Sequence, residues 1–530
     1  MKVTSRYQPL AADASGRRAD ASIEWLRSYG ERRINSRLMD ERRSIPPYVV
    51  LDMGNAGLFG VQVEERFGGL ALRSRDIARV LAQAAAIDLG LGTFLLTSLF
   101  PGVRPVAAFG SEALRDELLR DLATGRALAG YAQTEPGAGT HFAALSARAV
   151  ADGAGWRLSG EKVWIGNSSW ARVLTVMANV VDERGRKRGL TAFAVRTDRP
   201  GVAIGREILS MGMRGMVQGE VGFHDVAVGP DDVVGEPERG LEVGVDSMSW
   251  SRFAIAATCV GAMKRCAQLL HRFAGRRAIA TGRLLDHPAA RRALGEITAA
   301  VAACESLLLF AADRLDAGEG VEPELFAACK SSASELLWKA ADQLVQLLGS
   351  RGYDEANAAA QLLRDARVTR IFEGATEPLR AFLGAEALSP TSGLTRCIAE
   401  RLDAGPIAQE MEASLVRLRG RELPLGAASG RTLQRAFEAG LAGEVAEWAL
   451  LAAAAQRSDC AHAVDWSRAR LREAMARASG EADLGAPLLA TSEAQKAIDA
   501  YAAEIGDVEQ QLPGERAEGD LLLARDERGA

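Results

Sequence analysis

The string LLRDARVTRIFEGATEPLR, residues 362–380, holds a glutamate suited to act as a base. Glu373 directly precedes Gly374 and follows Ile371 and Phe372. Apolar neighbours would strip water from its carboxylate. Desolvation raises a carboxyl pKa and makes the anion a better proton acceptor. The same letters also fit an exposed glutamate at a helix C-terminus. A second string, GYAQTEPGAGT at residues 130–140, combines polar side chains with glycines. Tyr131, Gln133, Thr134 and Thr140 offer hydrogen-bonding groups. Pro136, Gly137 and Gly139 argue against a regular strand or helix there. Glycine lets a backbone approach a flat or anionic ligand closely. A plain glycine turn is the competing reading. In WIGNSSW, residues 164–170, two tryptophans could wall a stacked ring or close a strand edge. In QLLGSRGY, residues 346–353, Gly349 and Gly352 read as a helix C-cap and a turn.

Other chemical templates fail. GLGTFL and GAGTHF lack the third glycine of a dinucleotide fingerprint, and neither a P-loop nor a GxSxG elbow occurs. The five histidines are never spaced i,i+3 or i,i+4, so no helical metal motif exists. The six cysteines form no CxxC pair, which argues against a disulfide framework or zinc and for a reduced cytoplasm. Net charge is -5 with no dense basic block, so no nucleic-acid partner is expected. Seven lysines stand against 57 arginines, a bias that looks genomic.

These strings need elements to position them. A chain of 530 residues exceeds one core of about 250–300 residues, so two to four domains are expected. Residues 1–125 read as helical, with SRDIARVLAQAAAI apolar at helical spacing and Ser111 an N-cap for SEALRDELLRDLATG. VEERFGGLAL reads as a loop. Residues 126–236 read as β-rich, with a hairpin turn at Gly160 inside GWRLSGEKVWIG. Residues 237–388 carry long helices that suggest an antiparallel bundle. Residues 389–530 read as further Ala-rich helices, and 391–530 holds 16 basic against 23 acidic residues. The fold class is thus α+β, mainly α: helices, a β-barrel-like unit, a four-helix bundle, extra helices. No stretch of about 18 residues is both apolar and uncharged, so no membrane span is expected. The first 20 residues lack the apolar core of a signal peptide.

Together the strings resemble the acyl-CoA dehydrogenase family of flavoproteins across roughly residues 20–388. The supporting runs are VEERFGGL (63–70), FGSEALRDELL (109–119), QTEPGAG (133–139), LSGEKVWIGN (158–167), MGMRG (211–215), FHDVAV (223–228), RRAIATGRLL (276–285), QLLGSRGY (346–353) and RIFEGATE (370–377). The resemblance implies FAD between the β unit and the bundle. It implies that Glu373 removes the α-proton of an acyl thioester while a hydride passes to the flavin. The Glu373 N–H and a ribityl hydroxyl would then hold the carbonyl oxygen, with Gly374 beside the base. It implies flavin contacts by Tyr131, Gln133, Thr134, Gly139, Thr140, Trp164, Ile165, Gly166, Ala375 and Glu377. Arg277, Gln346, Gly349 and Ser350 would reach the FAD of a neighbouring subunit. Thr140, Arg252 and Phe372 would face substrate.

Departures from the pattern accompany the match. Gly166 stands in place of a hydroxyl residue, Thr140-His141 in place of Ser-Asp, Ala280-Thr281 in place of Phe-Gly, and Ala375 in place of Thr. The extension resembles that of the longer, typically dimeric members. The implied partners are an acyl-CoA or acyl-carrier-protein thioester and an acceptor such as electron-transfer flavoprotein. An oxidase or monooxygenase, with open space above Gly166, and a non-catalytic scaffold are the other readings.

Overall fold

The computed structural model describes residues 2–506, apart from 141, 183, 420, 422–429 and 485–487. The N-terminal region is built on α1 (Ala12–Arg33), α2 (Ser74–Ile87), α3 (Leu89–Thr97) and α4 (Glu112–Ala123). In α2, Ile77, Ala78, Val80, Leu81, Ala84 and Ala85 are buried, the stripe that helical spacing predicts. Asp88 caps α3 by accepting from the Leu91 N–H. Ser111 caps α4 by accepting from the Leu114 N–H. Beyond α3 the chain widens into a π turn, Ser98–Val103, around Pro101, which has no N–H to give.

Eight strands follow: β1 (Leu128–Ala132), β2 (Arg148–Asp152), β3 (Gly155–Gly166), β4 (Ala171–Val181), β5 (Lys187–Arg196), β6 (Val202–Glu207), β7 (Gln218–Val228) and β8 (Val233–Val234). Their order is β6-β7-β3-β2-β4-β5-β8, with β1 paired parallel to β4. β4 is buried on both faces. Val173 and Met177 join one apolar cluster, while Leu174, Val176, Ala178 and Val180 join another. Two expectations are corrected here. Gly160 is no hairpin turn; β3 runs straight through it, and the pairing with β7 shifts register between Leu158 and Gly160. A Cβ at Gly160 would lie 2.6 Å from that of Ala147, so glycine marks a bulge and a close approach. Residues 130–132, assigned to an irregular string, lie within β1.

The bundle consists of α5 (Gly240–Arg276), α6 (Pro288–Asp316), α7 (Pro323–Leu348), α8 (Ala358–Thr369) and α9 (Thr376–Ala387). α8 and α9 are separated by a six-residue turn that carries Glu373. Three segments, Leu89–Phe109, Gly240–Arg276 and Pro288–Asp316, do meet the length and composition of membrane spans, which corrects the expectation of none. Their most apolar windows are 83%, 72% and 50% buried inside the protein, so much of this apolar surface already serves the core.

The extension supplies α10 (Gly405–Arg419), α11 (Arg431–Ala455), α12 (Ala461–Ser479) and α13 (Thr491–Ile505). One continuous apolar cluster runs from the N-terminal helices through the bundle into α11 and α12. α10 was not singled out from the sequence. Its buried Ile407, Ala408, Met411, Leu415 and Leu418 keep helical spacing behind a Gly-Pro start. The run SEAQKAIDAYAAEIGDVEQQL, residues 492–512, is expected to be helical, and its residues 507–512 lie outside the described residues.

Candidate active site

Glu373 owes its place to an unusual turn. α8 ends at Thr369, and the chain bends so that Glu373 (φ 54°) and Gly374 (φ 97°) are both left-handed. A left-handed glutamate is strained and must be held by its surroundings. Two cations, the half-buried Arg252 and the buried Lys330, hold it through successive carbonyls. Arg252 Nε donates to the Glu373 oxygen at 3.1 Å, and Lys330 Nζ donates to the Gly374 oxygen at 2.7 Å. On the other side, Arg370 Nε and Thr376 Oγ1 both donate to Glu335 Oε1, at 2.6 and 2.7 Å. Burial pushes the Glu373 carboxyl up to about 6, against the pull of Arg252 and Lys330. The Glu373 N–H has no acceptor among the described residues.

The glycine string is anchored from beneath. Glu135 and Lys162, both almost fully buried, pair at 2.8 Å. Lys162 also donates to the Gln133 and Met177 carbonyls, and Glu135 accepts from Ser146 and Ala147. Burial opposes the Glu135 anion, yet the bonds from Lys162 and Ser146 outweigh it and hold the carboxyl below its usual range. The Val163 N–H donates to the Thr134 oxygen at 2.9 Å, which sets Trp164 beside the string. A Cβ at Gly137 or Gly139 would meet nothing within 4 Å, so the string faces open space. Thr140 is exposed, and His141 lies outside the described residues. Ile165 is buried while Trp164, left-handed at φ 60°, stays 54% exposed.

Gly166 leaves no vacant space, contrary to the basis of the oxygen-using alternative. A Cβ there would sit 2.6 Å from Thr97 Cγ2 at the end of α3. The Gly166 oxygen in turn lies 2.7 Å from where Gly130 would carry a Cβ. Close approach of β1, β3 and α3 therefore requires both glycines, and Thr97 fills the place of the missing side chain.

α5 forms the common wall. Tyr131 Oη lies 3.5 Å from the Cβ position of Gly244, two turns before Arg252. Burial, then the nearby Glu373 charge, pushes the Tyr131 phenol well above its usual range. Tyr131 Oη and Gln133 Oε1 are buried with no hydrogen-bond partner. Burying such groups unpaired costs about 1–3 kcal/mol each, so they point to a ligand that completes them.

Family models for the acyl-CoA dehydrogenase N-terminal, middle and C-terminal domains match residues 19–126, 130–226 and 238–388. The chain belongs to the acyl-CoA dehydrogenase family. Among its relatives, the probable acyl-CoA dehydrogenase FadE10 of Mycobacterium tuberculosis is 28% identical over 393 residues, covering 72% of this chain and 60% of that protein. The mouse mitochondrial very long-chain specific acyl-CoA dehydrogenase is 31% identical over 333 residues, covering 62% of this chain and 51% of its own length. The chain thus spans only part of these relatives. In fold it is similar to butyryl-CoA dehydrogenase from Megasphaera elsdenii, with a TM-score of 0.67 at 23% identity. That match covers 70% of this chain and 98% of the other.

The family's domain models end at residue 388, and the helices of the extension follow them. One group of expected site residues is not brought to Glu373. Arg277, Gln346, Gly349 and Ser350 are exposed at helix ends. Arg277 lies 25 residues along α5 from Arg252, about 37 Å at 1.5 Å per residue. Gln346 lies 16 residues along α7 from Lys330, about 24 Å. Gly349 does form the expected C-cap, at φ 61°. Ala375 caps α9 without a side-chain bond, Glu377 is exposed in its first turn, and Phe372 is half-buried. The residues that sequence reasoning missed are Thr97, Glu135, Lys162 and Lys330.

Proposed function

We propose that this chain dehydrogenates an acyl thioester across its α and β carbons, with FAD as cofactor and Glu373 as base. The observation that carries the reading is the Glu373 turn. A carboxyl raised to about 6 is ionised at neutral pH yet basic enough to take a proton. The unengaged Glu373 N–H lies on the same residue. It can hold the thioester oxygen, where negative charge develops as the α-proton leaves. Arg252 holds the Glu373 carbonyl, in the peptide that follows on the other side of the same Cα, which limits how that residue can turn.

The residues present fit FAD. Open glycines, an exposed Trp164 and the unpartnered Tyr131 Oη and Gln133 Oε1 form a surface for a flat polar ligand. Thr134, Gly139, Thr140 and Ile165 would complete the flavin side. Arg277, Gln346, Gly349 and Ser350 would serve the FAD of a second copy. When bound, FAD supplies the acceptor for the β-hydride. The protein aligns substrate, takes the α-proton onto Glu373 and excludes water around it.

The test is a visible spectrum of the yellow protein under argon, before and after adding medium- and long-chain acyl-CoA. Bleaching that Glu373→Gln abolishes, with FAD content intact, is the expected result. Bleaching by Glu373→Gln at the parent rate would sink the assignment.

A further inference from the structure

Lys330 sits in the third turn of α7 and is fully buried. Its one side-chain hydrogen bond among the described residues runs from Nζ to the Gly374 oxygen. No carboxylate lies within salt-bridge distance of it there. An ammonium in that position is costly, because neither water nor a counter-ion compensates its lost hydration. Burial pushes it down to about 8. The groups that face it are Cys259 and Arg252 from α5, Glu373 from the turn, and Glu335 from its own helix.

Composition sharpens the point. The chain uses 57 arginines and only seven lysines, so arginine is its default cation. Lys330 and Lys162 are the two buried lysines, and each donates to a backbone carbonyl beside the candidate site. A compact ammonium on a straight stem delivers one charge to one oxygen. A planar guanidinium would bring a fork with further donors to satisfy. The local geometry needs such a point contact. Glu373 and Gly374 are consecutive left-handed residues, and the carbonyls of both are held, one by Arg252 and one by Lys330.

We propose that Lys330 is a positioning residue, which anchors the Gly374 carbonyl and so keeps the Glu373 carboxylate and N–H aimed together. The proposal rests on the reading of Glu373 as the base. Lys330 itself touches no reacting atom in this scheme. It acts on the turn, and α7 is braced from behind, where Ser331 donates to the buried Glu447 of the extension.

The experiment compares FAD-loaded wild type, Lys330→Met, Lys330→Gln and Glu373→Gln. It reads flavin content, thermal midpoint, and anaerobic bleaching by acyl-CoA across pH 5–9. Lys330→Met keeps the stem and removes the donor. It should retain FAD and half-saturate within about twofold of wild type, while its limiting bleaching rate falls about 10- to 100-fold, as expected for a misaimed group. Its acidic limb should also move above that of wild type, because a nearby cation has gone. Lys330→Gln keeps a donor without charge and should fall between the two in rate while sharing the limb shift. A folded, yellow Lys330→Met with wild-type rate and limb would overturn the proposal. Loss of fold or flavin in both Lys330 variants would also overturn it, in favour of a purely structural lysine. Should Glu373→Gln bleach normally, the base assignment fails first, whatever Lys330 does.

Discussion

At the scale of residues, the chemistry depends on how far Glu373 is lifted from an ordinary carboxyl. Burial sets the direction, and Arg252 and Lys330 limit it to about 6. The base works only when ionised, so bleaching should fall on the acid side with a limb near 6 instead of near 4.5. Arg252→Gln should move that limb upward, since it removes the larger of the two opposing charges. Stopped-flow rates between pH 4 and 9 read both effects, and a wild-type limb at 4.5 would contradict the burial argument. Gly166 offers a steric prediction. Gly166→Ser drives its Cβ into Thr97, an overpacking of about 1–3 kcal/mol. Flavin per chain should drop, and Thr97→Ala in the same chain should restore it. Full loading of the single variant would show that Thr97 yields freely. The sequence made Glu373 and the glycine string legible because glycines and a carboxylate cluster within short runs. It hid Thr97 and Lys330, which read as unremarkable letters of apolar helices. Only the approach of α3 to β3 and of α7 to the turn gives them a role.

At the scale of elements, long helices and alternating strands were legible from periodicity. Close approaches between them were not. Gly160 carried a turn-like letter, yet its job is to admit Ala147 against a continuous strand. The crossing of α9 with α11 is the strongest case. A Cβ on Gly384 would lie 1.8 Å from the Ala439 oxygen, and one on Gly443 would lie 1.8 Å from the Arg380 oxygen. The two helices thus cross backbone to backbone, and their separation is set by the absence of both side chains. Beside the crossing, Arg380 donates to the buried Glu447 at 2.9 Å. Alanine normally favours a helix over glycine by about 1 kcal/mol. Here Gly384→Ala or Gly443→Ala should instead destabilise by roughly 1–3 kcal/mol, because the helices must separate. Denaturant melts followed by circular dichroism would read this. A neutral or stabilising result would mean that the extension docks less tightly than the crossing requires.

At the scale of the whole molecule, two kinds of connection matter. Inside one chain, Arg104 ties the N-terminal region to α5. It donates to both Asp246 carboxylate oxygens, at 2.5 and 2.9 Å, and to the Thr4 and Ser5 carbonyls. It also lies over the Trp250 ring at 4.4 Å. Arg104→Met should cost about 3–5 kcal/mol, since it leaves the buried Asp246 carboxylate with only the looser Arg6 contact at 3.8 Å. Between chains, the argument turns on distance. Arg277 and Gln346 lie on helices that reach Glu373, yet at points about 37 Å and 24 Å along those helices from Arg252 and Lys330. A cofactor held at Tyr131 and Trp164 of one copy and at Arg277 of another would make FAD retention depend on association. Arg277→Glu should then lower flavin per chain on dilution, while the thermal midpoint of the flavin-free chain stays within about 2 °C, as for a surface substitution. Sedimentation with simultaneous flavin absorbance reads both quantities. Wild type that sediments as a yellow monomer at every concentration would separate these helix ends from cofactor binding. It would leave the exposed Arg277 as an ordinary solvated side chain.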